Sequence, residues 1–187
     1  MSFDLRKAER ALKPQARGAL KARPESELRW VDGEAKAGVP LLIDTTVYLD
    51  TLQGRTPAAV DDLLRYRSIF HSAVCLAELT HAFGRLDLAR SATQQALAAL
   101  AGAIDDIPRH RLFAPDIDLW GKAGMLAGKA LRLGCIPSGQ SQERKLLNDS
   151  LIFLQALKVG AAVLSRNVGD FELLEQLMPS GAVVFYR

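Results

Sequence analysis

Val39-Pro40-Leu41-Leu42-Ile43-Asp44 is the stretch on which the fold turns. A short apolar run that stops on an acid reads as a buried strand handing a carboxylate to whatever follows it. Working outward toward the C-terminus, the spacing predicts helices over 47–52 and 57–65, then a strand over 67–72. A helix over 74–84 follows, then an alanine-rich helix over 87–104 and a short strand over 111–113. A helix over 115–133, a loop over 134–140 and a helix over 143–159 come next. The chain closes with a strand over 161–165, a helix over 171–178 and a last strand over 183–186. Strands alternating with helices imply a largely parallel sheet covered on both faces, so the fold class is α/β.

Working back from Val39, the pattern changes. Residues 24–38 mix charges with Gly and Pro and read as a connector. Before them, Leu5, Ala8, Leu12, Ala16 and Ala19 keep a helical spacing among many Lys and Arg, with Pro14 splitting or kinking the segment. The chain therefore divides into a basic helical extension with its connector, 1–38, and a domain over 39–187. The extension either packs on the body or a partner subunit, or contacts nucleic acid or a membrane surface.

Composition narrows the function. With 187 residues, 49% hydrophobic and 24% charged, the chain can bury a core, which a disordered chain cannot. The longest apolar run, Ala96 to Ile104, falls short of the ~18–20 residues of a membrane span. Cys75 and Cys135 are far apart, and the first residues lack a secretion leader's apolar core, so a reducing, cytoplasmic setting is expected. The first 40 residues hold 9 of the 24 basic and 6 of the 21 acidic groups, which leaves the body neutral. A neutral body does not grip nucleic acid by bulk charge, so any such chemistry needs a metal, a local patch or the extension.

Four acids stand out. Asp44 lies at a strand's carboxyl end, where ligands bind in parallel α/β sheets, although an Asp before Thr45 and Thr46 also suits a helix cap. Glu78 and Asp149 each sit singly in helices otherwise fit for the core, and Asp170 follows the strand at 161–165 by a short turn. Each alone could be a salt-bridged structural acid, since a buried carboxylate needs a partner. Gathered in one place they repel, at ~4 kcal/mol for two unit charges ~4 Å apart in an effective dielectric of ~20. No run of Lys or Arg stands beside them in sequence, whereas a divalent cation would neutralise them. Oxygen-only ligands suit Mg²⁺ or Mn²⁺, an ion able to activate water for attack on a phosphodiester.

Four segments share a further likeness: Leu42-Ile-Asp44-Thr-Thr-Val-Tyr-Leu-Asp50, Ser72-Ala-Val-Cys-Leu-Ala-Glu78-Leu79, Asn148-Asp149-Ser-Leu-Ile152 and Leu164-Ser-Arg-Asn167-Val-Gly-Asp170-Phe171. In this order they resemble the PIN-domain ribonucleases, especially the VapC-like toxins of type II toxin–antitoxin pairs. The resemblance implies a three-layer α/β/α fold around about five parallel strands. It also implies a Mg²⁺ or Mn²⁺ site, endonucleolytic cleavage of RNA, homodimerisation and a cognate antitoxin. By position, Asp44, Glu78 and Asp149 match the principal acids. Asn167 stands where many relatives carry an aspartate and could ligate through its amide oxygen, with Asp170 three residues on as the compensating acid. Thr46 and Ser165 match hydroxyl positions that orient the acids, and ordinary capping is the other reading of both. Arg144, Lys145 and Arg166 are candidates for holding an RNA backbone. A binding module with a weakened or inactive metal site is the alternative, motivated by Asn167 and the basic extension.

Other patterns carry no site. Glu78-Leu-Thr-His81 has di-iron spacing but occurs once and between strands. Gly128-Lys129 lacks the glycine and the hydroxyl residue of a phosphate loop, and Gly121, Gly124 and Gly128 read as close helix packing. His71 and His110 read as structural, and Asp116 and Asp118 as helix-starting acids.

Overall fold

The computed structural model describes residues 3–12, 19–134 and 139–187. The break expected at Pro14, most of the loop at 134–140 and Cys135 lie outside the described residues. Five strands form one sheet: β1 (Leu41–Ile43), β2 (Ile69–Ser72), β3 (Leu112–Phe113), β4 (Ala162–Ser165) and β5 (Val183–Phe185). Their order is β3-β2-β1-β4-β5 and every pairing is parallel. Successive strand residues face opposite sides of a sheet. Leu41, Leu42 and Ile43 are all buried, as are Val183, Val184 and Phe185, so both faces are covered by helices. This is the expected α/β arrangement with a five-stranded parallel sheet.

The helices are α1 (Leu5–Ala11), α2 (Thr45–Leu52), α3 (Ala58–Tyr66), α4 (Ala73–Gly84), α5 (Ser91–Asp105), α6 (Ile117–Leu133), α7 (Gln140–Lys158) and α8 (Val168–Leu177). Helix α7 is the central one, packed on α6, α8, α4, β1 and β4. Its segment from Asp149 to Ala156 is buried without interruption, which explains why it reads as a core helix with one misplaced acid. Ser72 caps α4 by accepting from the Val74 N–H, and Asp116 caps α6 by accepting from the Leu119 N–H, as expected of a helix-starting acid. Helix α8 starts earlier than expected, at Val168, which places Asp170 in its first turn and not in the preceding loop. Among the described residues no helix is long and apolar enough to cross a membrane.

The extension differs most from expectation. Its helix stops at Ala11, and residues 19–23 are irregular where helix was predicted. Ala8 and Leu12 are buried and α1 packs on α6. Further on, Trp30 bridges Phe185 in parallel, and the Phe185 N–H donates to the Arg29 carbonyl at 2.8 Å. The connector thus runs along the outer side of β5 and satisfies part of an edge strand that would otherwise stand open. Arg23 donates to Glu172 at 2.9 Å and also pairs with Glu175, and Arg67 reaches Glu34 at 2.7 Å.

Candidate functional site

The chain leaves β1 for β2 and β3 on one side and later returns to β4 and β5 on the other. A crevice opens at the carboxyl ends of β1 and β4, the place where such sheets bind ligands. Asp44 steps off β1 into this crevice, and its N–H donates to the Leu164 carbonyl of β4 at 3.0 Å. Although Asp44 holds the cap position of α2, its side chain makes no cap bond. Thr46 and Ser165 both donate their hydroxyls to Asp44 Oδ2, each at 2.8 Å. The Arg166 N–H donates to Thr46 Oγ1 at 3.2 Å and the Asn167 N–H to Ser165 Oγ at 2.9 Å. With backbone donors feeding both oxygens, the hydroxyl protons are directed at the carboxylate. Both hydroxyls thus bond within their own turn and across to the neighbouring element.

Glu78 comes from α4, with Asn148 Nδ2 donating to Oε1 at 2.7 Å and the Thr45 hydroxyl bonded to Oε2. Asp149 projects from α7, and Asn167 Nδ2 donates to its Oδ2 at 3.0 Å. The same amide nitrogen donates to Asp170 Oδ2 at 3.0 Å, where Lys145 Nζ also lands at 2.6 Å. Asp44, Glu78, Asp149, Asn167, Lys145 and Arg166 line one cleft of about 360 Å³. Asp170 stands behind them through its bonds to Lys145 and Asn167, and Arg144 lies in the neighbouring cleft.

Electrostatics separates these acids into two kinds. Burial pushes the Asp44 carboxyl up, the two hydroxyls pull it back only in part, and the Glu78 charge adds to the rise. Asp149 is pushed well above the usual carboxylate range by burial and then by the charges of Asp44 and Asp170. For Asp170 burial acts upward as well, but the bonds from Lys145 and Asn167 outweigh it and hold the carboxyl low. Lys145 in turn is raised, the Asp170 bond and the Asp149 and Asp44 charges overcoming its partial burial.

Two placements add to the sequence reading. A cation does stand beside the acids: Lys145 lies one helical turn before Asp149 on α7, a proximity that only the folded helix creates. Asn167 presents its amide N–H₂ to two carboxylates, bridging them as a donor, where a ligand would offer its oxygen. Among the described residues no three His, Cys, Asp or Glu side chains stand close enough together to hold a metal ion as placed. The donor chemistry nonetheless fits a hard divalent cation, because all the acids offer oxygens. Moreover, the side-chain donors to Asp44 and Asp149 all fall on Oδ2, so neither Oδ1 takes a side-chain hydrogen bond among the described residues.

One residue was missed. Asp50 on α2 is buried and binds Arg55 Nη2 through Oδ1, and Arg166 Nε and Tyr186 Oη through Oδ2, each at 2.9 Å. It holds the Arg166 guanidinium near the mouth of the cleft. The criterion that selected Glu78, an acid among apolar helix neighbours, selects Asp50 equally well in Val47-Tyr-Leu-Asp50. The histidines behave as expected of structural residues where they are bonded: His71 Nδ1 meets Tyr48 Oη at 2.5 Å, and burial lowers its pKa.

No protein-family model matches the sequence, and no curated protein matches it either. Solved structures do match in fold. A chain of VapBC2 from Rickettsia felis, solved bound to a DNA fragment from its promoter, superposes with a TM-score of 0.52 at 15% identity, covering 79% of this chain and 99% of that one. DNA-bound VapBC from Salmonella typhimurium gives 0.52 at 17% identity, over 78% of this chain and 97% of that one. FitAcB from Neisseria gonorrhoeae gives 0.53 at 17%, over 78% and 96%. The α/β fold is therefore one this chain has in common with components of VapBC and FitAcB complexes.

Proposed function

We propose that this chain is a metal-dependent endoribonuclease of the PIN type that acts as the toxin of a toxin–antitoxin pair. One observation carries the reading: Asp44, Glu78 and Asp149, from three separate elements, meet in one cleft at the switch point of the sheet. The fold likeness to VapBC and FitAcB supports the same class. Asp44, Glu78 and Asp149 are the residues that would hold Mg²⁺ or Mn²⁺, with Asp170 or a flipped Asn167 amide completing the set. A bound ion supplies an activated water and a counter-charge for the phosphoryl group under in-line attack. Thr46 and Ser165 fix the Asp44 oxygen, and Asn148 and Thr45 fix Glu78. Lys145, once released from Asp170, offers its charge to the RNA backbone, and Arg166, anchored by Asp50, offers a second contact. RNA is thus the substrate, a cognate antitoxin the protein partner, a homodimer the assembly and the cytoplasm the compartment in this reading.

A PIN-like binding module without cleavage is the second reading. The Lys145–Asp170 ion pair and the donor role of Asn167 favour it, because both lower the demand for a metal. Cleavage of a structured RNA pool by wild type and Asp44→Asn, each with Mg²⁺, Mn²⁺ or EDTA, separates the two. The nuclease reading expects cutting by wild type alone and only with metal. Metal-indifferent or equal cutting, or no saturable Mn²⁺ binding by calorimetry at millimolar concentration, overturns it.

A further inference from the structure

A second, larger cleft of about 550 Å³ adjoins the acidic one, and the two share a wall made by Thr45, Glu78 and Lys145. Its character is different. Ala73, Val74 and Ala77 of α4 give it an apolar side, and Trp120 of α6 and Pro115 add flat, rigid surface. Trp120 is 50% exposed, an indole left half open to water where a core aromatic would be covered. Around this apolar surface stand His81, Ser141 and Arg144, which offer hydrogen-bonding groups at the rim.

We infer that this cleft takes one unpaired base of single-stranded RNA, stacked on Trp120, with the attached phosphate directed to Lys145 and the acidic cleft. The identity of the polymer rests on the nuclease reading above. A nucleotide joins a flat apolar face to an anionic group through one sugar, and the two clefts offer matching surfaces across a shared wall. The aromatic face and apolar side suit a base of any kind, since every base has a π-face. The rim groups suit its polar edge, and Arg144 and Lys145 supply the positive charge that a phosphodiester requires. A base still paired in a helix cannot reach such a pocket, so the ligand is a single strand or a loop. An amphipathic protein helix is a poorer fit, because its apolar stripe would press against His81, Arg144 and Lys145.

The test uses the full chain in EDTA, so that RNA is bound and not cut. A fluorescein-labelled ten-nucleotide oligouridylate is titrated into wild type, Trp120→Ala and Trp120→Phe and followed by anisotropy. Base stacking predicts binding weakened about tenfold or more in Trp120→Ala and largely restored in Trp120→Phe. An oligonucleotide of abasic residues, which keeps its phosphates, should bind wild type and Trp120→Ala alike. In a Trp30→Phe background Trp120 is the sole tryptophan, and the oligouridylate but not the abasic strand should quench its fluorescence. Failure of wild type to bind the oligouridylate, equal binding by Trp120→Ala, or quenching by an amphipathic helical peptide and not by RNA overturns the inference. Asp44-dependent cleavage that is untouched in Trp120→Ala would remove the base cleft and leave the nuclease standing. Trp120-dependent binding without metal-dependent cleavage would do the reverse.

Discussion

Glu34, half-buried with a side chain 7% exposed, and the buried Asp149 are pushed in opposite directions by their surroundings. Burial acts upward on each. At Glu34 the bonds from Arg29 and Arg67 outweigh it, and the carboxyl is held below its ordinary value. At Asp149 the nearest charges are other acids, and the carboxyl rises. Asp50, with two arginines and Tyr186, and Glu172, with Arg23, resemble Glu34 in being matched by cations. The acids on the matched side fasten the extension and the cleft's outer wall. Asp44 and Asp149 are bonded by hydroxyls and an amide, with no cation bonded to either among the described residues, so the fold carries their charge at a cost.

Breaking a matched pair should therefore give the largest effect on stability. The Arg67 side chain is only 2% exposed, so Glu34→Ala leaves a buried guanidinium without its carboxylate. The expected loss is about 3–5 kcal/mol, a fall in melting temperature of roughly 10 °C for a chain of this size. Asp149→Asn in the metal-free protein should be neutral or stabilising, because repulsion is relieved and no cation is orphaned except through Lys145, which keeps Asp170. Thermal unfolding followed by circular dichroism in EDTA reads both. A large loss in Asp149→Asn and none in Glu34→Ala would invert the comparison and remove the argument for a functional cluster.

The same contrast has a pH signature of intermediate size. Glu34 is lowered on folding, so the stability it contributes is present above the ordinary carboxylate pKa of ~4 and is lost as pH falls through its depressed value. Asp149 is raised, so its contribution is present below that ordinary value and is lost as pH climbs through the elevated one. Asp44 acts with the same sign as Asp149. Metal-free protein should thus lose stability on the acid side through Glu34 and again on moving toward neutrality through the cleft, with slopes of at most ~1.4 kcal/mol per pH unit for each titrating group. Urea midpoints between pH 3 and 8 should show the rise in Asp149→Asn flattening the neutral-side decline, while Glu34→Gln flattens only the acid side. A decline toward neutrality that persists unchanged in both Asp149→Asn and Asp44→Asn would place its origin outside the cleft.

Much of this was legible before folding, for reasons that differ by region. Leu41-Leu-Ile43 and Val183-Val-Phe185 are short, apolar on every residue and bounded by breaks, so buried parallel strands were readable from local pattern alone. The acids Asp44, Glu78 and Asp149 were readable because each violates its local pattern. Lys145 was singled out as a candidate backbone contact, but its pairing with Asp170 was not readable, since it depends on α7 and α8 meeting side by side, a fact of tertiary packing. The Asn167 bonds to Asp149 and Asp170 were not readable either, since they bring together residues of α7 and the start of α8 that only folding makes neighbours. The extension was misread over 19–23 because helical spacing that includes Ala19 says nothing about what competes for the segment. There, Arg23 and the Trp30 bridge to β5 draw the chain into extended contact with the body.

The smallest expected effect concerns the three glycines of α6, and it probes the extension's attachment by packing, where Glu34 probed its attachment by charge. Read together as a close-packing stripe, they separate in the structure. A Cβ on Gly121 would lie 2.3 Å from the Phe3 ring, whereas Gly124 and Gly128 have open space. Alanine is favoured over glycine in a helix interior by ~1 kcal/mol, so Gly124→Ala and Gly128→Ala should each raise stability by up to that amount. Gly121→Ala gains the same propensity but must displace Phe3, and overpacking against a ring costs ~1 kcal/mol or more unless the ring moves aside. Its net change should therefore fall near zero, short of the other two, with faster proteolysis at the N-terminal segment. If Gly121→Ala stabilises as much as Gly124→Ala and the N-terminal segment stays protected, Phe3 contributes nothing to the attachment. The packing part of the attachment would then rest on Ala8 of α1 and on Leu12 just after it.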